Sequence, residues 1–296
     1  MRNLLTANFA RLWRNRLFWL LEAGIAAWGV FAYAMLKVNM KNGYPLQSSN
    51  TYFFNDMIFA GITLACFGGF FIGTEYSDGT IRNKLAVGHD RRAVYLANLI
   101  TLVCVGFLQL AAYKLAAVTA GAALVGDLVW SALYRPAESI ALSVLSVCVS
   151  AAIVAFLSMV ITDKPKAVLI NVLFAVLILA AGASALKGMM QPETINRFYI
   201  PETGEYKYEG EESMPEGAVF IAEEIPNPRY LRGAERTVYG WITAVLPTSQ
   251  GLLSAMRTEE SVEFDRFSAR NVVGTAAAVC LISAGGIYIF RRRDLK

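Results

Sequence analysis

Six apolar stretches, each about twenty residues long, leave few folds open to this chain, because each can cross a lipid bilayer as a helix. Hydrophobic residues make up 56% of the 296 residues, above the roughly 45–50% typical of soluble domains. Charged residues concentrate between the stretches. This pattern indicates that the apolar side chains are removed from water by lipid and not by one large protein core. The sequence therefore predicts an all-α polytopic membrane protein with spans over residues 17–36, 57–73, 93–120, 137–161, 167–186 and 271–290.

Two helices are expected to depart from a simple span. Residues 1–16 place apolar side chains at helical spacing with arginines largely on other faces, which predicts an amphipathic helix at the membrane interface. The third stretch is longer than about 30 Å of hydrocarbon requires, so we expect it to tilt or to break near Gly106.

Basic residues in the short loops predict the orientation. They fall in the N-terminal helix, the loop of residues 74–92, the turn of residues 163–166 and the C-terminus, all on one side of a six-span arrangement. The positive-inside rule assigns that side to the cytoplasm, so we expect both termini there.

A large extracytoplasmic segment is expected between the fifth and sixth spans, and it is rich in acidic residues at 202–216. Residues 196–200 and 205–208 flank a glycine-containing turn and predict a β-hairpin. Two apolar pieces around Pro247, too short to span, predict a re-entrant element or an ordinary surface helix with a proline kink. We thus divide the chain into residues 1–186, 187–270 and 271–296.

A short helix near residues 77–87 is predicted in the loop between the second and third spans. Ser77 or Asp78 can cap it, with Gly79 and Thr80 in its first turn. This helix should lie along the cytoplasmic membrane surface.

The same helix has an apolar stripe formed by Ile81 and Leu85, four residues apart, while Arg82 and Lys84 are expected to point elsewhere. The stripe could insert into a groove of a partner protein. The alternative is a plain basic loop that only obeys the charge rule.

This loop resembles that of the permease subunits of ABC-2 type ABC transporters, in which a Glu-x-x-x-Gly-Thr stretch followed by basic residues forms a coupling helix. Glu75, Gly79 and Thr80 match the motif. The resemblance implies a contact with an ATP-binding subunit made by Glu75, Ser77, Asp78, Gly79, Thr80, Ile81, Arg82, Asn83, Lys84 and Leu85. The outer segment departs from the resemblance, because it is longer and more acidic than the compact hairpin expected.

The resemblance also implies partners and a location. The chain lacks a Gly-x-x-x-x-Gly-Lys-Ser/Thr phosphate loop, so ATP and Mg are expected on a separate ATP-binding subunit, in two copies, and no cofactor on this chain. A second permease subunit, identical or related, is implied, in the bacterial plasma membrane. The expected activity is export of an amphipathic or hydrophobic substrate, with a peptide ranked first. Scattered basic clusters argue against nucleic acid.

Other candidate residues are few. Glu22, inside the first span, could face a translocation pathway, or it could snorkel or form an ion pair. Lys114 is expected to snorkel to the outer interface. His89 is the only histidine, so neither a histidine-based metal site nor a catalytic triad is predicted. A membrane sensor or scaffold that binds a ligand through the outer segment, or a membrane-embedded enzyme, remains the alternative function.

Overall fold

The computed structural model describes residues 1–42, 49–126, 133, 135–200, 205–208, 221–256 and 268–293. Within these residues the chain forms eleven helices and one three-stranded sheet. The helices are α1 (Arg2–Trp13), α2 (Arg16–Lys41), α3 (Ser49–Phe53), α4 (Asp56–Ser77), α5 (Thr80–Ala86), α6 (Arg91–Leu124), α7 (Pro136–Val160), α8 (Lys164–Met189), α9 (Gly233–Val245), α10 (Pro247–Met256) and α11 (Ala269–Arg292). The strands are β1 (Thr194–Ile200), β2 (Glu205–Tyr208) and β3 (Ile221–Pro226).

The six predicted spans are confirmed as long apolar helices, namely α2, α4, α6, α7, α8 and α11. The chain is therefore a multi-pass membrane protein. The helix α6 runs without interruption through Gly106, so the break considered there does not occur. Gly106 instead allows α7 to approach closely, because a Cβ at this position would lie 2.5 Å from Cγ1 of Val147.

Close helix packing brings the spans together around two large apolar clusters, and two smaller ones occur among the described residues. Small residues permit it in several places; a Cβ on Gly68, for example, would lie 2.2 Å from Cγ1 of Val154. The larger cluster includes the buried side chains of Phe67 and Tyr95, and the second contains Tyr33 and Tyr113. Outward-facing residues of the spans are largely apolar, as a lipid environment requires.

The predicted basic loops meet at one end of the helix bundle, which we call the basic end (residues 1–16, 77–92, 161–166 and 290–293). Arg91 donates a hydrogen bond to the carbonyl oxygen of Phe290 over 2.8 Å, and Arg293 donates one to that of Val160. These arginines satisfy carbonyl groups at helix C-termini that would otherwise lack partners. The side of the membrane on which the basic end lies stays a prediction.

The segment after the fifth span contains the predicted hairpin. The strands β1 and β2 pair in antiparallel fashion, with Ile200 opposite Glu205. A third strand, β3, was not predicted; it pairs with the other edge of β1, giving the strand order β2-β1-β3. Residues 201–204 and 209–220, which hold most of the acidic run, lie outside the described residues.

The element around Pro247 consists of two helices, α9 and α10, that meet at this proline. The bundle encloses α10: Ser146 donates a hydrogen bond to the carbonyl oxygen of Pro247 over 3.0 Å, and Ser249 donates one to that of Gly182 over 3.0 Å. Eight of the ten residues of α10 are buried. This burial excludes the surface-helix alternative for α10 and agrees with a broken element whose second half is held inside the protein.

Candidate coupling site at the basic end

The connection between α4 and α5 depends on Gly79, whose φ of 69° lies in the left-handed region that glycine adopts without strain. The helix α4 extends through Ser77, whose hydroxyl donates to the carbonyl oxygen of Thr74, and Asp78 is its C-terminal cap. The prediction that Ser77 or Asp78 caps the short helix is therefore wrong. Both residues end α4, and Gly79 precedes the first residue of α5, Thr80.

The predicted apolar stripe of α5 faces the interior of the chain. Ile81 is buried in the larger apolar cluster, and Leu85 packs against that cluster. The prediction that this stripe inserts into a partner is wrong, because its surface is already covered by the chain's own core. The exposed residues of α5, together with the residue after it, are Arg82, Asn83, Ala86 and Val87, and Val87 is 80% exposed.

Glu75 is the centre of a buried polar cluster behind α5. Its side chain is 1% exposed. The carboxylate oxygen Oε1 accepts hydrogen bonds from Arg11 Nη1 at 2.9 Å and from Lys84 Nζ, and Oε2 accepts one from Asn98 Nδ2 at 3.0 Å. Lys84 is only 11% exposed and binds Glu75 inside the bundle, whereas the sequence predicted that it points away from the apolar stripe of α5.

Asn8 completes this group, which we call the Glu75 cluster: Glu75, Arg11, Lys84, Asn98 and Asn8. The Asn8 amide donates to Asn98 Oδ1 at 2.8 Å, and its oxygen accepts from Lys84 Nζ at 3.1 Å. Residues of α1, α4, α5 and α6 therefore meet at one carboxylate.

The Arg11 guanidinium lies over the ring of Phe71, 3.7 Å from its centroid. Burial lowers the pKa of Arg11, while the neighbouring Glu75 carboxylate raises it. An arginine stays protonated under these influences, so two cations share the single negative charge of Glu75. The cluster thus holds α1, α4, α5 and α6 together. Removal of the Glu75 carboxylate would leave both cations inside the protein without a counter-charge.

Among the described residues, no group of three or more histidine, cysteine, aspartate or glutamate side chains could hold a metal ion.

Glu22 lies away from this cluster, on the buried face of α2. Its Oε1 has no hydrogen-bond partner within the part of the chain that the structure describes. No ion pair to Glu22 occurs there either, so the ion-pair alternative lacks support.

Lys114 contradicts the snorkelling prediction. Its ammonium group binds the Asp56 carboxylate over 2.7 Å, donates to the carbonyl oxygen of Phe53 and lies 4.2 Å from the ring centroid of Phe54. An ion pair and aromatic faces hold the charge inside the bundle, where snorkelling would have moved it to water.

Sequence reasoning missed Arg11, Asn98 and Asn8 as members of the site. An asparagine inside an apolar span, such as Asn98, is a signal that could have found it, because polar groups in the membrane need partners. Asn8 and Arg11 lie three residues apart on α1, but nothing in their spacing indicates Glu75 as the partner.

Comparison with known proteins extends these observations to a family. The family model described as ABC-2 family transporter protein matches residues 4–182, more than half of the chain. No curated protein and no solved structure matches the chain. The matched region holds α1 to α7 and most of α8, including the Glu75 cluster and α5, whereas the sheet and α9 to α11 lie beyond it. The chain therefore belongs to the ABC-2 transporter family.

Proposed function

We propose that this chain is the transmembrane permease subunit of an ATP-driven exporter. Membership of the ABC-2 family supports a transport subunit of an ABC transporter rather than an enzyme. In this proposal a separate ATP-binding subunit, in two copies, binds ATP and Mg, and a second permease subunit, identical or related, completes the pathway. The complex lies in the bacterial plasma membrane, with the basic end and both termini in the cytoplasm.

The observation that carries the proposal is that one side of α5 is attached to the helix bundle and the other side is exposed. Ile81 and Lys84 attach it to the bundle, whereas Arg82, Asn83 and Val87 remain exposed. A protein partner that covered Val87 would gain the free energy of removing its apolar side chain from water, and Arg82 and Asn83 beside it could form polar contacts. We therefore assign the contact with the ATP-binding subunit to Arg82, Asn83 and Val87, in place of the whole predicted stretch.

The Glu75 cluster supports a mechanism for transmitting motion. A displacement of α5 by the partner acts on Lys84, and through Glu75 on the end of α4 and on α6 at Asn98. Tyr76, next to Glu75, donates a hydrogen bond to the carbonyl oxygen of Met159 over 2.6 Å, which adds α7 to the connected group. ATP binding would thereby favour one arrangement of the spans over another as rigid bodies.

The transported substrate is proposed to be amphipathic or hydrophobic, with a peptide ranked first. Glu22 is the proposed polar member of the pathway, because an unpartnered carboxyl oxygen in a span is a functional position by default.

A charge-reversal experiment tests the assigned contact. In the tagged full-length chain purified from membranes in mild detergent, Arg82→Glu is expected to lower the recovery of an ATP-binding subunit at least tenfold. Arg291→Glu, an equal charge reversal at an exposed position of the same end, is the matched control and should leave recovery unchanged. Equal recovery with Arg82→Glu and the unaltered chain would contradict the contact.

The same preparation separates the alternatives. A sensor or scaffold that binds a ligand through the outer segment, like a membrane-embedded enzyme, needs no coupled ATP turnover. A stoichiometric ATP-binding protein with ATPase activity therefore supports the exporter, and a pure chain without such a partner refutes it.

A further inference from the structure

An internal cavity lies away from the coupling site, between α4, α6, α7 and α8, with the first residues of α10 at one wall. Its volume is about 40 Å³. Since one water needs about 10–15 Å³ of such space, two or three small groups fit. Ser150 and Ile178 in its wall are only half-buried, so the cavity reaches the surface of the bundle.

The lining combines apolar side chains with five polar ones and no charge. The polar residues are Gln109, Ser146, Ser150, Asn171 and Thr248. None of the lining residues, all of which belong to the described part of the chain, is acidic or basic. A charged group entering this space would lose its water without gaining a counter-charge.

One polar atom in the cavity wall lacks a partner. The side chain of Asn171 is buried, and its amide nitrogen donates to Ser158 Oγ at 3.0 Å and to the carbonyl oxygen of Ala167 at 2.7 Å. Its Oδ1 has no hydrogen-bond partner in the described residues. A buried acceptor of this kind costs about 1–3 kcal/mol unless a donor reaches it.

The cavity lining therefore contains both an acceptor without a partner and hydroxyl donors. Asn171 Oδ1 requires a hydrogen-bond donor, while the hydroxyls of Ser150 and Thr248 can donate to an acceptor. Hydroxyl and primary amide groups supply both functions without charge. The hydroxyl of Ser146 is already used, because it donates to the carbonyl oxygen of Pro247.

We infer that this cavity binds the uncharged hydroxyl or amide head of an amphipathic molecule, with Asn171 accepting from it. The apolar remainder of the molecule leaves through the half-buried side of the cavity toward lipid. The inference rests on the proposed export function for its biological meaning, and it narrows the substrate class to molecules with a neutral polar group.

Photolabelling of the full-length chain in lipid nanodiscs tests the site. The probe is 3-azioctanol, an alcohol with a photoreactive diazirine, and labelled residues are mapped by mass spectrometry. We expect label on cavity residues such as Ser150 and Ile178. Octanamide should displace it, and octylammonium, which has the same chain length and a charge, should not.

Matched serine variants provide the control. Ser150→Ala removes a hydroxyl from the cavity wall, whereas Ser143→Ala, two turns away on α7, removes a buried hydroxyl that lies outside the cavity. Loss of a hydrogen bond should lower labelling about fivefold in Ser150→Ala and leave Ser143→Ala unchanged. Asn171→Leu should lower it at least as much; Ser150→Ala remains decisive if that variant does not fold.

The opposing results are distinct. Label confined to outward-facing residues such as Leu173 and Leu177 would overturn the site and indicate partition into lipid only, and competition by octylammonium would overturn the neutral head group. Labelling needs neither ATP nor a partner, so absence of cavity label with active ATPase refutes this site alone. Cavity label without any ATP-binding partner refutes the exporter alone.

Discussion

Replacing Glu75 by glutamine should weaken the docking of α5 on the bundle, because the substitution removes the negative charge that the buried Lys84 and the partly exposed Arg11 share. Breaking one partner of a buried ion pair costs about 3–5 kcal/mol. Arg11 is 29% exposed and regains some water, so the lower value of about 3 kcal/mol is appropriate here. Since about 1.4 kcal/mol corresponds to tenfold in an equilibrium constant, the docking equilibrium of α5 should shift by about 100-fold.

Amide hydrogen exchange of the purified chain measures this shift directly. In Glu75→Gln the amides of α5 and α1 should exchange up to about 100-fold faster, whereas those of α9, at a distance along the chain and in the fold, should not change. The assay follows individual segments, so it separates local undocking from global unfolding.

Lys84→Met provides the matched comparison. It removes the second cation and leaves Arg11 and Glu75 as a balanced pair, so its cost should be smaller, about 1 kcal/mol, the value of a typical net hydrogen bond. The double variant should lie between Glu75→Gln and Lys84→Met. Equal exchange rates of the α5 amides in Glu75→Gln and in the unaltered chain would refute the role of Glu75 in holding α5 on the bundle. The refutation would be clearest if ATPase coupling were lost while these rates stayed equal.

Three further substitutions test individual contacts: an ion pair, a close helix contact and a hydrogen bond. Asp56→Asn should lower the free energy of unfolding by about 3 kcal/mol, because it leaves the Lys114 ammonium without its counter-charge; tryptophan fluorescence during denaturation in detergent measures it, and an unchanged midpoint would contradict the ion pair. Gly182→Val should displace α10 by crowding, since a Cβ at this position lies 2.8 Å from that of Thr248; limited proteolysis should then cut near α10, and an unaltered pattern would argue against the close contact. Tyr76→Phe should cost about 1 kcal/mol and slightly lower the melting temperature, and no shift would mean that its hydrogen bond is not formed in the native state.

The six spans could be predicted because each span is a property of one continuous segment. Length and apolarity decide whether a helix crosses lipid, and neither depends on the remainder of the fold. The hairpin of β1 and β2 was accessible for the same reason, since its strands adjoin a glycine-containing turn. The strand β3 could not be predicted, because it pairs with residues of β1 that lie 22 to 32 positions earlier in the chain, from Tyr199 with Ile221 to Thr194 with Pro226.

The candidate coupling site could be predicted only in part, because spacing on a short helix determines which residues share a face but not which face lies inward. Ile81 and Leu85 were correctly placed on one side of α5, yet that side packs on the core. The charge of Lys84 favoured an exposed position, but its ammonium group binds the carboxylate of Glu75, nine residues earlier, inside the bundle. A charged side chain turns inward only when its partner is present there, and that is a property of the assembled bundle.

The long sequence separations within the Glu75 cluster have a consequence for biogenesis. Asn8 and Asn98 are 90 residues apart, and the chain leaves the ribosome with α1 first. During insertion α1 cannot make its contacts with α6 until three spans are in the membrane, so its amphipathic face must rest on the lipid surface meanwhile. Formation of the cluster thus joins α1 to the first three spans. A substitution that disrupts α1 should therefore impair assembly only after the third span has inserted.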